Sequence, residues 1–207
     1  MSNFLASNSS QPGNEVAENT KQQFLQFYLD SEIRVMLPVA QITEVLKIEL
    51  ARIVPIPQMP PWVMGVYNWR GDILWMVDLG HLLGLNSWYQ RGRSSADLVK
   101  QRQALKSFTG GRTKFVAPAI GLGNCNVVIL SPNKAIPQAE DNIDLGLVVY
   151  RVEDLEECDL TEIQSTLDKT AAQIANFASG YWLKPGGEIV SVLDGNAIAR
   201  AMPTLVD

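Results

Sequence analysis

The sequence predicts a mainly β protein, built as two small β-barrels of one design packed into a single domain. Three observations point there. Short apolar runs separated by polar turns recur along the chain, which is the signal of strands and hairpins. Four prolines, Pro55, Pro57, Pro60 and Pro61, forbid a helix over residues 53–61 and impose a rigid, extended connection. One stretch also repeats. Gly71-Asp72-Ile73-Leu74-Trp75-Met76-Val77-Asp78 and Gly187-Glu188-Ile189-Val190-Ser191-Val192-Leu193-Asp194 both read glycine, acid, Ile, aliphatic, two variable residues, aliphatic, Asp. Upstream, residues 41–45 resemble 151–155, and the paired β-runs at 24–37 correspond in order to those at 127–149. Matching order across three segments favours a duplicated unit over chance.

Residues 1–22 are rich in Ser, Asn, Gln and Glu and carry Pro12 and Gly13. They hold too few large apolar side chains to pack and read as a disordered tail. With neither a basic start nor an apolar centre, this segment does not fit a secretory signal. The domain runs over residues 23–203. Phe24-Leu25-Gln26-Phe27-Tyr28-Leu29 is a first strand, Asp30-Ser31 a polar turn, and residues 33–37 a second strand. Residues 63–67 and 73–77 form strands around the turn Asn68-Trp69-Arg70-Gly71-Asp72. Asp78 is placed to cap a short helix over 79–83, which Gly84 stops. These elements make a first barrel over about 23–85. Residues 86–126 break the rhythm and read as an insertion. In it Ser94-Ser95 caps a helix over 96–108, followed by Gly110-Gly111 and the glycine-rich residues 121–123. Strands at 127–130 and 145–149 open a second barrel over about 127–203. Residues 161–177 suit either a helix or a strand-and-turn excursion. Residues 189–193 are a strand, and Asp194 caps a helix over 197–201.

Composition bounds the function. A chain of 207 residues with 46% hydrophobic and 19% charged residues is large enough to bury roughly 70% of its unfolded surface. No apolar run approaches the ~18 residues of a membrane helix. Cys125 and Cys158 have no CxxC spacing and no nearby His. That excludes a disulfide scaffold and a zinc site built on Cys pairs, and fits a reducing cytosol. One histidine, His81, excludes a multi-His metal centre. The net charge of −5 is segregated. Residues 86–115 hold seven bases and one acid, a charge of +6; the remaining ten bases and twenty-one acids carry −11.

Asp78 and Asp194 have the composition of a catalytic carboxylate pair, but capping accounts for each locally. His81 beside Asp78, with Ser87 further on, makes no triad on spacing alone. Gly110-Gly111-Arg112-Thr113-Lys114 lacks the P-loop spacing, and Gly121-x-Gly123 lacks a third glycine. No catalytic residue, metal site or cofactor is therefore expected. Arg70, in a turn between two strands, either projects a guanidinium fork toward a partner or bridges to a neighbouring loop. Ile42 and Glu44 face the same way if 41–45 is extended, although Ile42 equally suits the core. Asn68 suits shaping the turn as well as binding. The acids Glu153, Asp154, Glu156, Glu157, Asp159 and Glu162 read most simply as a solvated face, or as the complement of a basic partner or of the chain's own insertion. A function of a different class would use the bases of 86–115 on phosphates, with Trp88 and Tyr89 stacking on bases. The −11 of the remainder opposes that alternative, and no nucleic acid is expected as partner.

The run Pro60-Pro61-Trp62-Val63-Met64-Gly65-Val66-Tyr67-Asn68-Trp69-Arg70-Gly71-Asp72-Ile73-Leu74-Trp75-Met76-Val77-Asp78-Leu79 resembles the central motif of CheW-like domains. The resemblance extends more loosely to Gly146-Leu147-Val148-Val149, Val152-Glu153-Asp154-Leu155 and Val192-Leu193-Asp194, covering about residues 24–202. Trp69 and Trp75 depart from the residues common there, and the basic insertion is longer than a simple adaptor needs. The resemblance implies two SH3-like, five-stranded β-barrels with a shared core. It implies a non-catalytic adaptor that couples methyl-accepting receptors to a CheA-type histidine kinase in chemotaxis, phototaxis or twitching motility. The partners implied are the receptor's cytoplasmic helical hairpin and the kinase, in the cytoplasm at membrane receptor arrays, with no direct membrane insertion. The implied partner-binding residues are Ile42, Glu44, Asn68 and Arg70.

Overall fold

In the computed structural model, residues 20–87, 123–132, 144–165 and 174–203 are described. Residues 1–19 of the expected tail, the helix expected over 96–108, and Trp88 and Tyr89 lie outside the described residues. The first half of the chain supplies β1 (Lys21–Tyr28), β2 (Arg34–Pro38), β3 (Ile42–Glu49), β4 (Val63–Trp69), β5 (Asp72–Asp78) and α1 (Leu79–Leu82). The second supplies β6 (Asn124–Leu130), β7 (Leu145–Val149), β8 (Arg151–Asp159), β9 (Ile163–Gln164), β10 (Ala178–Leu183), β11 (Ile189–Leu193) and α2 (Gly195–Arg200). Both helix caps form as read: Asp78 Oδ1 accepts from the His81 N–H at 3.2 Å and Asp194 Oδ1 from the Asn196 N–H at 2.8 Å. Two boundaries move. β1 begins at Lys21, inside the segment read as tail, because its edge pairs with β8 from Lys21 onward. β6 begins at Asn124, because Glu49 of β3 pairs with it. Residues 161–177 are not a helix where they are described: a 3₁₀ turn over Leu160–Glu162 leads into β9, and a second covers Ala175–Phe177.

Two sheets result, ordered β8-β1-β2-β11-β10-β9 and β3-β6-β7-β5-β4. Neither is drawn from one half of the chain, so the division into one barrel over 23–85 and another over 127–203 does not describe the pairing. The β1–β2 hairpin of the first half lies between β8 and β11 of the second. The β6–β7 hairpin of the second lies between β3 and β5 of the first. The exchange is reciprocal, and each inserted hairpin makes one antiparallel and one parallel seam. The reason is geometric: a hairpin alone has two open edges and is marginal in water, and each half offers the other the gap that its own hairpin leaves.

The pattern of burial follows from the pleat. Successive side chains on a strand point to opposite faces, and the central strands are buried on both. In β6, Val128 and Leu130 enter the cluster between the sheets, with Leu25, Phe27, Val35, Leu37, Leu147 and Leu193. Val127 and Ile129 point the other way, into a cluster with Ile48, Tyr67, Leu74, Met76 and Val148. A third cluster lies on the outer face of the first sheet: Phe24, Met36, Cys158, Trp182, Val190 and Val192. The two outer clusters are built almost wholly from one sheet's own side chains. A flat sheet cannot cover its own face, so each sheet bends around its cluster. The bend brings β4 to the segment that follows β3, where Val54 and Val66 form an antiparallel bridge. Fully burying each such side chain contributes about 1.5–3 kcal/mol.

The sequence repeat is therefore a structural one. In each half a long edge strand (β3 or β8) runs through a 3₁₀ turn to a short pairing with a hairpin (β4–β5 or β10–β11) and then to an Asp-capped helix. The fold is mainly β, and its two bent sheets sharing a central core agree with the two-unit architecture that the sequence predicts.

Candidate partner-docking surface

The candidate surface begins at the turn between β4 and β5. Trp69 pairs with Asp72, leaving Arg70 and Gly71 as a two-residue loop. Both have positive φ, 56° and 99°, the pattern of a type I′ turn, whose twist matches that of the strands. Glycine takes this conformation freely. Arginine does so at a cost of about 1–2 kcal/mol. Asn68 stabilises the turn, its Oδ1 accepting from the Gly71 N–H at 3.3 Å. Of the two readings open for Asn68, turn shaping is thus accounted for by a contact.

The Arg70 guanidinium donates to Glu44 Oε2 at 2.8 Å and lies 5.2 Å from the Trp69 ring centroid. Its side chain is still 68% exposed, and that of Glu44 31%. The bridge to a neighbouring element is therefore real, and so is the outward-facing fork: one contact holds the group while most of it faces solvent. The pair joins β3, at one edge of its sheet, to the hairpin at the other edge, which follows from the bend around the outer cluster.

Ile42 does not join them. The expectation that Ile42 and Glu44 share a face assumed a regular strand, but the β3–β6 register shifts between them. Ile42 stands opposite Leu130, which faces the central core, and packs against that core; Glu44 stands opposite Ile129, which faces the outer cluster. A bulge puts the extra residue, Thr43, between them and sends the two side chains to opposite faces. Thr43 Oγ1 lies 2.8 Å from Ser131 Oγ.

Apolar side chains that sequence reasoning did not single out extend the surface. Ile73, paired with Asn68 beside the turn, is 72% exposed; Val45, opposite Val128, and Val54, bridged to Val66, are also exposed. A usable signal was present for Ile73. It opens an apolar run opposite a polar residue, while its neighbour Leu74 is the one that alternation sends inward.

The second half repeats this layout with a different outcome. Ile189 and Leu155 stand at the positions of Ile73 and Val45 in the repeat and are also exposed. At the equivalent hairpin tip, however, the cation is Lys184. It binds Glu156 and Gln26 Oε1, and its side chain is only 16% exposed. The acids expected as a solvated face are largely paired within the fold. Glu157 binds Lys21, Glu153 binds Arg34 and Arg151, and Glu162 accepts from Trp182 Nε1. Asp159 accepts from Thr161 and Thr20, and those hydrogen bonds hold its carboxyl below the usual range. Of these two cations, Arg70 is the largely exposed one, beside the exposed Ile73, whereas Lys184 is held within the fold.

Neither cysteine belongs to this surface. Both are buried and free. Burial pushes the Cys125 thiol up to about 12, and burial with Glu162, Asp159 and Glu156 pushes Cys158 to about 11.

Two interlocked β-units carry a charged hairpin tip beside an exposed apolar residue, a surface suited to protein contacts. A family model for the CheW-like domain matches residues 23–202, and the chain belongs to that family of non-catalytic chemotaxis scaffolds. Among solved structures it is similar to the scaffolding protein TtCheW from Thermoanaerobacter tengcongensis. The TM-score is 0.54 at 18% identity, over 83% of this chain and 88% of that one, a likeness of fold. No curated protein matches the sequence.

Proposed function

We propose that this chain is the adaptor that joins a methyl-accepting receptor's cytoplasmic helical hairpin to a CheA-type histidine kinase, in the cytoplasm at membrane receptor arrays. Arg70 and Glu44, with Asn68 shaping the turn, form the polar part of the docking surface, and Ile73 beside the turn its apolar part. Ile42 acts from beneath, by fixing the course of β3. The observation that carries this reading is the exposed Arg70 fork, fixed by its turn, its Trp69 neighbour and its ion pair. Such a fork is suited to carboxylate and amide groups on a helix. Among the described residues no helix is long and apolar enough to cross a membrane, in keeping with recruitment by binding.

The test is a pull-down with the purified full-length chain, a purified CheA-type kinase and a purified receptor hairpin. The wild type retains both, and Arg70→Ala weakens retention of one by at least about fivefold, as truncating an interface Arg does when it costs about 1 kcal/mol or more. Retention of neither partner by the wild type sinks the reading.

A further inference from the structure

We propose that a chain of hydrogen bonds from Thr43 through Ser131 to Asp144 selects which residue of β3 faces Arg70. Thr43, Ser131 and Asp144 are then positioning residues for the docking surface. The inference rests on the docking reading above and deepens it, through groups that reading does not use.

The choice arises from the register. Ile42 stands opposite Leu130 and Val45 opposite Val128. Packing fixes both ends of this stretch: Ile42 lies against the central core, and Leu46 and Ile48 lie in the outer cluster. Between them β3 has Thr43 and Glu44, and β6 has Ile129 alone. One of the two must be the extra residue of the bulge. In this structure Glu44 takes the place opposite Ile129, and Arg70 donates to it at 2.8 Å. Were the bulge one residue later, Thr43 would take that place and Arg70 would lose its carboxylate. Neither Ile42 nor Val45 would need a new partner.

Ser131, directly after β6, holds the first arrangement. It is buried, and its N–H donates to the Gln41 carbonyl at 2.8 Å. Its Oγ lies 2.8 Å from Thr43 Oγ1. Ser131 therefore grips β3 on both sides of Ile42. A serine hydroxyl has one hydrogen, and a carboxylate only accepts. Ser131 donates its hydrogen to Asp144 Oδ1, so Thr43 is the donor to Ser131. Moving Thr43 out of the bulge would strip a buried hydroxyl of that donor, which is unfavourable. The repeat supplies a contrast. In β8, Glu153 and Asp154 stand against Gln26 alone, between the pairs Val152↔Phe27 and Leu155↔Leu25. The residue at the position of Thr43 is Glu153, which binds Arg34 and Arg151 instead of a hydroxyl. Asp154, at the position of Glu44, is exposed, and Lys184 takes Glu156. The same bulge without the hydroxyl chain does not bring its acid to the hairpin tip.

Thr43→Val tests this in the full-length chain. It keeps the branched shape and removes the O–H, and position 43 is exposed, so the fold survives. Cross-strand NMR contacts, read without any partner, show which residue stands opposite Ile129. In the wild type it is Glu44. In Thr43→Val, position 43 gains contacts to Ile129 and the Glu44 resonances shift or double. Thr43→Ser, which keeps the hydroxyl, retains the wild-type pattern. A valine variant with Glu44 alone opposite Ile129 overturns the proposal, whatever binds. The second measurement is retention of the purified receptor hairpin and the CheA-type kinase. Thr43→Val lowers retention of one by at least about fivefold when Arg70 is present, and adds nothing in the Arg70→Ala background, the mark of residues acting as one unit. No loss, or an equal loss in both backgrounds, overturns the positioning role. A wild type that retains neither partner sinks the docking reading instead, and the NMR contacts still decide what the hydroxyl chain selects.

Discussion

Arg70 carries two opposed effects on stability that substitution can separate. Its left-handed backbone costs about 1–2 kcal/mol relative to a relaxed residue. Its largely exposed ion pair with Glu44 returns only about 0–1 kcal/mol. Arg70→Ala removes the pair and keeps the backbone cost, so a loss within about 1 kcal/mol is expected. Arg70→Gly removes both, less the extra entropy of glycine in the unfolded chain, about 0.5–1 kcal/mol. The glycine variant should therefore equal or exceed the alanine variant in thermal unfolding, and both should lose partner binding. An alanine variant that melts higher than the glycine one would show that the turn is unstrained. The cysteines give a second test at this scale. Free thiols titrate near 8.5, whereas Cys125 and Cys158 sit at about 12 and about 11. At pH 8 both should react with an alkylating reagent at least about a hundredfold more slowly in the native protein than in denaturant, since the thiolate is the nucleophile. The sign for stability follows from linkage. The folded thiols hold their protons after the unfolded ones lose theirs, so stability is full below about pH 8.5 and falls as pH rises toward 11–12. Rapid labelling of the native protein would mean that the strands around a thiol open readily.

Among the elements, legibility in the sequence followed exposure. β1, β2, β5, β6 and β7 are buried on both faces over most of their length, so they read as apolar runs, and the two Asp caps read from their own positions. β3 and β8 are legible in the sequence only in part, as the matching segments 41–45 and 151–155. They are sheet edges, whose solvent-facing positions carry Thr43, Lys47 and Glu49 or Asp154 and Glu157, and edge strands use charge to discourage further pairing. The split of Ile42 from Glu44 was illegible for a related reason: a bulge is set by the partner strand, and no residue in 41–45 announces it. Gly65 shows how tightly the edge closes. Its φ is 135°, and a Cβ there would stand 2.1 Å from the Val54 carbonyl oxygen, in the bridge that joins Val54 to Val66. Gly180, its counterpart in the repeat, is crossed in the same way by the Gln164 carbonyl at 2.6 Å. A backbone atom cannot swing aside as a side chain can. Gly65→Ala should destabilise by about 2–4 kcal/mol, through backbone strain together with loss of the bridge. Denaturant titration reads this as a lower midpoint, and a midpoint within error of wild type would mean that the bridge is dispensable.

For the whole molecule, the repeat was visible in the sequence and the exchange of hairpins was not, because pairing across the chain leaves no local pattern. The consequence is that stability should be shared by sheet and not by half. The outer cluster of the first sheet joins Phe24 and Met36, from the first half, to Cys158, Trp182, Val190 and Val192, from the second. Val190 is fully buried there. Val190→Ala removes two methyl-sized groups and leaves a cavity, at a cost of about 2–3 kcal/mol by analogy with other large-to-small core changes. Native-state hydrogen exchange reports where that cost falls, since local openings span free energies up to the global value. If the sheet is the cooperative unit, amides of β1 and β2 lose protection along with those of β10 and β11, although residues 88–122 and more separate them in sequence. Amides of β4 and β5, which belong to the first half but to the other sheet, retain more. The opposite pattern, protection lost throughout residues 123–203 with β1 and β2 spared, would mean that each half holds itself together and that the interleaved strands are not what unites the fold.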